Sequence, residues 1–222
     1  MSNPMSPAFL RPADVAPRGQ AWTDVSDVAR VEPGRTYPMS PSVTRPADVI
    51  LGRGEETILA IDPGTVQSAW LLFADGRPVD FGIWPNAALL DALRSGAPTA
   101  SGDGQFFEPD VAVIEQVASY GMPVGAEVFE TVRWSGRFEE ALHPTPVVQL
   151  TRKTIVLHLC NSPRATDSNV RRALMDKFGG DASIGLKRSP GPLYGFHTDL
   201  WAALAVAVAY AEGAKNTEPK KP

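Results

Sequence analysis

The stretch TILAIDPGTVQSAWLLF, residues 57–73, constrains the fold more than any other part of this chain. Its apolar run is of strand length, breaks at Asp62-Pro63-Gly64, and resumes as a second apolar run. The break raises the question of what Asp62 is for. Asp-Pro-Gly is turn chemistry, with Asp accepting local backbone bonds, Pro fixing φ and Gly taking a left-handed position. On this stretch alone that explanation is sufficient, and the rest of the chain has to decide whether Asp62 does more.

The pattern continues as a mixed α/β one. TILAI and SAWLLFA read as two strands, and RPVDFGIW reads as a third after an Asp75-Gly76 hairpin signal, which makes a three-stranded antiparallel meander. AALLDALRSG has helical spacing and a Gly stop, a glycine-rich loop follows, and DVAVIEQV is a buried strand ending in a charge. Residues 124–142 repeat apolar side chains at helical spacing, PVVQL is a short strand, and SNVRRALMDKFGG is an amphipathic helix with a Gly-Gly terminator. HTDLWAALAVAVAYAEG closes the series as a helix whose small residues let it lie close to a sheet. The expected order is βββ-α-β-α-β-α-α, within one domain at residues 57–212.

The flanks differ. Residues 1–56 are rich in Pro, Ser, Arg and Asp without a sustained period, so they are expected to form a disordered leader. MSPAFLRPADV at 5–15 returns as MSPSVTRPADV at 39–49, with eight identities in eleven positions. Two copies are too few for a solenoid, and the pair is either a neutral duplication or a short binding motif. Residues 213–222 read as a flexible polar tail.

Charge and cysteine usage limit the function classes. A single cysteine excludes an intrachain disulfide, fits a reducing compartment and, with three scattered histidines, rules out a cysteine-clustered zinc site. There is no N-terminal targeting pattern, and the longest apolar run, 200–211, is too short to span a bilayer, so a cytoplasmic protein with no membrane partner is expected. The net charge of −4 hides a polarity: residues 133–188 carry ten basic against five acidic side chains, whereas residues 1–132 carry eight against seventeen. Such a chain can turn a basic face to phosphates while remaining acidic overall.

Two further carboxylates join Asp62. Glu115 ends the strand VAVIE, and Asp199 lies at the start of the last helix, with Thr198 expected as its N-cap. Each has an ordinary explanation: a strand-end Glu can face water, and an Asp in a first helical turn gains about 0.3–1 kcal/mol from the helix dipole. As a set they differ. In a βββαβα sheet the first and fourth strands are parallel neighbours, their C-terminal ends converge, and a helix packed on the sheet can bring its N-terminus to the same edge. Carboxylates crowded there repel one another unless cations lie between them.

AIDPG on the first strand, VIEQV on the fourth and a late helix with an acidic N-terminus resemble the RuvC family of Holliday-junction resolvases, in the RNase H-like superfamily. LHLCNSPRATDSNVRRALMDKFGG and SPGPLYGFHTDLWAALAVAVAY resemble more specifically the RuvC-like nucleases of bacteriophages. The resemblance covers about residues 57–212 and implies an RNase H-like mixed five-stranded sheet flanked by helices. It implies structure-selective hydrolysis of branched DNA (a Holliday junction, fork or flap) with Mg2+ or Mn2+ as cofactor. Asp62, Glu115 and Asp199 would then be catalytic metal ligands, Asp62 bridging two ions, with His197 as a weaker ligand candidate. Arg152, Lys153, Arg164, Arg171 and Arg172 are the candidates for DNA-backbone contacts, and helix 124–142, with Val128, Phe129, Val132 and Trp134, is the candidate interface of a homodimer. The chain departs from the bacterial pattern twice. Ala202 stands where a further carboxylate is expected on the last helix, and Ala118 stands where an aromatic is expected after Glu115, with Tyr120 the nearest aromatic.

Two other functions compete. A strand followed by Asp-x-Gly also cradles ATP phosphates in the actin-like fold, but that fold needs two such halves and a second Asp-Gly turn, and this chain has room for one. A DNA-junction binding protein without catalysis is the other, and three carboxylates facing phosphates would only weaken it.

Overall fold

The structure is a computed structural model that describes residues 56–96, 108–119, 121 and 123–214. The duplicated leader, most of the glycine-rich loop, Tyr120 and the end of the tail lie outside the described residues.

Strands β1 (Ile58–Asp62), β2 (Gln67–Ala74) and β3 (Arg77–Pro85) form the expected meander. Its second turn is the Asp75-Gly76 pair, both with positive φ (52° and 68°), the geometry that matches a tight hairpin to strand twist. Helix α1 (Asn86–Ser95) leads to β4 (Val111–Gln116), then come α2 (Ala126–Ala141), β5 (Val147–Thr151), α3 (Arg152–Cys160), α4 (Asp167–Lys177), a two-residue hairpin β6 (Gly185–Leu186) and β7 (Ser189–Pro190), and α5 (Leu200–Ala211). The main sheet has five strands in the order β3-β2-β1-β4-β5. The β1/β2 and β2/β3 pairs are antiparallel, and β1/β4 and β4/β5 are parallel. This is the mixed five-stranded sheet flanked by helices that the sequence resemblance implies.

The strand patterns follow from burial on both faces. Side chains alternate across a sheet. Ile58 and Ala60 of β1, Leu71 and Phe73 of β2, and Val111 and Val113 of β4 enter one core, closed by α3, α4 and α5. Leu59, Ile61, Trp70, Leu72, Ala112 and Ile114 enter the other, closed by α1 and by Phe138 and Leu142 at the end of α2. Because both faces are covered, the strands read as continuous apolar runs. Helix α5 contacts β1, β2 and β4, and its buried Ala203, Ala205, Ala207 and Ala209 permit that close approach.

Three local features differ from expectation. The sequence order lacks α3 and the β6–β7 hairpin. Helix α3 begins with no loop after β5, started by the Thr151 hydroxyl, which accepts from the Thr154 N–H at 3.3 Å. Its Thr154-Ile155-Val156 run has strand-like composition, which concealed the helix. The cap of α5 is Asp199, not Thr198: Thr198 takes φ 37°, and Asp199 accepts the first helical bonds, from the Ala202 and Ala203 N–H groups, through its backbone carbonyl. No helix among the described residues is long and apolar enough to cross a membrane.

Candidate active site

Alternation decides where the strand-end carboxylates lie. Asp62 has the parity of Ile58 and Ala60, and Glu115 that of Val111 and Val113, so both belong to the face covered by α3, α4 and α5. The parallel register pairs Ile61 with Ile114, which makes Asp62 and Glu115 the next neighbours along the two strands. Asp199, at the N-terminus of α5 on the same face, acts electrostatically on Asp62. Its side chain makes no capping bond, so the carboxylate is exposed and not used to hold the helix.

The turn after β1 closes without Asp62. The Gly64 N–H donates to Ser68 Oγ (3.1 Å), Asn86 Nδ2 donates to the Gly64 carbonyl (3.0 Å), and the Ser68 hydroxyl donates to Asn86 Oδ1 (2.7 Å). A Cβ on Gly64 would lie 2.2 Å from the Gln67 carbonyl oxygen, so only glycine fits this turn. Asp62 accepts none of these bonds, and the turn-chemistry explanation does not account for it. Asn86 is 1% exposed, and Asn86→Ala would strip partners from the Ser68 hydroxyl and the Gly64 carbonyl. We expect a loss of about 1–3 kcal/mol, read as a lower melting temperature with an unchanged unfolding m-value.

The carboxylates carry the electrostatic signature of crowding. The Asp62 carboxyl is held well above its ordinary pKa, first by burial, then by the charges of Glu115 and Asp199, with Arg152 opposing. Glu115 is also raised, first by burial, against a lowering influence of Arg152. Glu115 is 9% exposed, and its Oε2 has no hydrogen-bond donor among the described residues. Arg152 Nη1 lies 3.6 Å from that oxygen, an ion-pair distance too long for a hydrogen bond. The other guanidinium arm, Nη2, donates to Asp167 Oδ1 at the first residue of α4.

These features fit a divalent cation. A buried carboxylate oxygen without a donor, beside a second carboxylate whose charged form is penalised, is an all-oxygen donor set that a hard cation relieves. Asp62 and Glu115 would form its base and Asp199 its open side. Among the described residues no three His, Cys, Asp or Glu side chains already close around an ion position, so the edge is open, not a preformed cage.

The other sequence candidates are distributed unevenly. His197 is exposed, and its backbone carbonyl accepts from the Leu200 N–H at 3.1 Å, but its ring has no hydrogen bond or ion pair among the described residues. Lys153 is exposed on the first turn of α3, next to the carboxylate edge, and Arg164 is exposed between α3 and α4. Arg171 lies over the Trp201 ring at 4.9 Å, near the start of α5. Arg172 faces away into ion pairs with Asp176 (3.0 Å) and Asp181 (3.6 Å). Sequence reasoning missed Asp167. Its signal was the acidic residue after Thr166, whose capping box with Asn169 fixes the start of α4.

No protein-family model matches this chain, and no curated protein does. Among solved structures it is similar to Thermus thermophilus RuvC in complex with a Holliday junction substrate, at 18% identity and a TM-score of 0.49, over 70% of this chain and 93% of that one. It is also similar to a second Thermus thermophilus RuvC structure, at 17% identity and a TM-score of 0.48, over 71% of this chain and 97% of that one.

Proposed function

We propose that this chain is a divalent-metal-dependent endonuclease that hydrolyses phosphodiester bonds in branched DNA, a Holliday junction in the first instance. The observation that carries the proposal is the convergence of Asp62 and Glu115 at the ends of adjacent parallel strands, with Glu115 Oε2 buried and without a hydrogen-bond donor among the described residues. Mg2+ or Mn2+ held there would supply Lewis acidity for in-line displacement at phosphorus and lower the pKa of the attacking water. The chain's own contribution is positional. Asp62 and Glu115 are fixed by strands paired on both sides, and Asp199 is presented by a helix seated on those strands. A pure DNA binder gains nothing from three carboxylates facing phosphates.

Lys153, exposed on the first turn of α3, and Arg164, exposed between α3 and α4, are the preferred backbone contacts. Such contacts position the duplex without reading its sequence. Lys153→Ala is expected to weaken binding to all DNA substrates alike and to reduce the slope of log K against log salt by about one unit. An unaltered slope would place Lys153 off the DNA path.

Paired nicks in a two-fold symmetric junction call for two sites related by the same symmetry. We place the second copy against α2, where Phe129 is 65% and Val132 49% exposed, with Trp134 turned to the core. Light scattering on the purified protein tests the dimer. The function itself is tested by cleavage of sequence-matched four-way, three-way, flap and linear duplex DNAs with Mg2+, Mn2+ or EDTA. Cleavage of branched substrates in preference to the duplex supports it, and equal cleavage of all four removes the structure selectivity.

A further inference from the structure

Arg152 carries an inference that rests on the nuclease reading and goes beyond it. Its guanidinium reaches from a buried carboxylate to an open one: the Glu115 side chain is 12% exposed, that of Arg152 39%, and that of Asp167 90%. The two ends are unequal. Toward Glu115 there is an ion pair at 3.6 Å, and Oε2 remains without a hydrogen-bond donor among the described residues. Toward Asp167 there is a hydrogen bond. The backbone on both sides is fixed. Arg152 follows β5 directly, where Leu150 pairs with Glu115, and Asp167 begins a helix locked by the Thr166–Asn169 capping box. The long Arg side chain can therefore move between the two carboxylates with no change of backbone.

We propose that Arg152 is the built-in counter-cation of the ion-free site, displaced from Glu115 when a divalent ion binds and retained by Asp167 as it leaves. The position of Asp167 supports this. A carboxylate there repels Asp62 and Glu115, so without Arg152 it only adds to the crowding. With Arg152 it is the alternative seat that lets the guanidinium vacate Glu115 without losing its own partner. Arg152 is thus a positioning residue that sets metal affinity, a different role from the DNA contact that its place in the sequence suggests.

The test is Mn2+ binding by isothermal titration calorimetry, without DNA and at fixed ionic strength, on the full chain and on Arg152→Gln, Asp167→Asn and the double variant. Arg152→Gln removes the competitor and is expected to bind Mn2+ more tightly, on the order of 10-fold, the scale on which outer-shell partners act. Asp167→Asn removes the alternative seat and is expected to bind more weakly. In the Gln background Asp167→Asn should have a smaller effect, since only the direct influence of its charge on Asp62 and Glu115 is then lost and its hold on Arg152 is already gone. Melting in EDTA supplies a second readout: Arg152→Gln should melt below the unmodified chain, and Mn2+ should close the gap. Mn2+ binding by Arg152→Gln that is unchanged or weaker overturns the proposal, as does an Asp167→Asn effect of equal size in both backgrounds. Should the Gln variant fail to fold, Arg152→Met carries the test, since it keeps an unbranched stem and removes the charge. Binding no tighter than that of the unmodified chain then overturns the proposal. If the unmodified chain takes up no Mn2+, the nuclease reading itself falls. If it binds and the variants do not follow the pattern, only the role of Arg152 falls.

Discussion

Replacing Asp62 by Asn is expected to reduce DNA cleavage by at least about 100-fold, since changes to groups merely behind a metal ligand already cost about 10–100-fold. Asn keeps the shape of the side chain and removes its charge. The turn that follows is closed by Ser68, Asn86 and Gly64 and does not depend on the carboxylate, so the fold should be retained. Junction binding should be retained or improved, because one negative charge facing the phosphates is gone. Nicking and gel-shift assays on the same preparation separate the two effects. Near-normal nicking by the Asn variant would remove Asp62 from the site.

The second large effect is on stability, and its sign follows from the raised carboxyls. Burial and the neighbouring charges hold the folded pKa of Asp62 above its ordinary value. A group of this kind favours the folded state fully below the unfolded pKa, and that contribution is lost as the pH rises through the folded pKa. In EDTA, therefore, ionisation of Asp62 in the unfolded chain works against folding at neutral pH. Asn reproduces the uncharged form and escapes this cost. Asp62→Asn should melt higher than the unmodified chain in EDTA at neutral pH, by about 2–4 °C for each kcal/mol in a domain of this size. The gap should close as the pH falls to the ordinary aspartate range, and Mg2+ should shrink or reverse it by stabilising only the chain that can bind it. A gap that is constant with pH would show that the carboxyl is not under this strain.

Much of the sheet was legible because its strands obey a simple rule. Continuous apolar runs such as Ile58–Leu59–Ala60–Ile61 arise where both faces are covered, and the Asp75-Gly76 pair marks a hairpin because both residues accept positive φ. The convergence of Asp62 and Glu115 was legible for the same reason: once β1 and β4 are parallel neighbours, strand ends and side-chain parity do the rest. Helix α3 was hidden by its β-branched composition and by the lack of any loop after β5. The cap of α5 was misplaced by one residue because Thr198, a good N-cap by type, adopts φ 37° instead. The tie from Arg152 to Glu115 and Asp167 joins three separate elements, and no local pattern in the sequence encodes such a contact.

The central claim is that the Asp62–Glu115 edge supports metal-dependent hydrolysis of branched DNA. The most direct measurement is the incubation of one end-labelled four-way junction with the full chain in Mg2+, in Mn2+ and in excess EDTA, with the products resolved on a denaturing gel and then offered to a ligase. The account predicts nicks in opposing strands with either ion, none in EDTA, and products that the ligase reseals because they keep a 5′-phosphate and a 3′-hydroxyl. Cleavage undiminished by EDTA, or an intact junction with both ions, would contradict it.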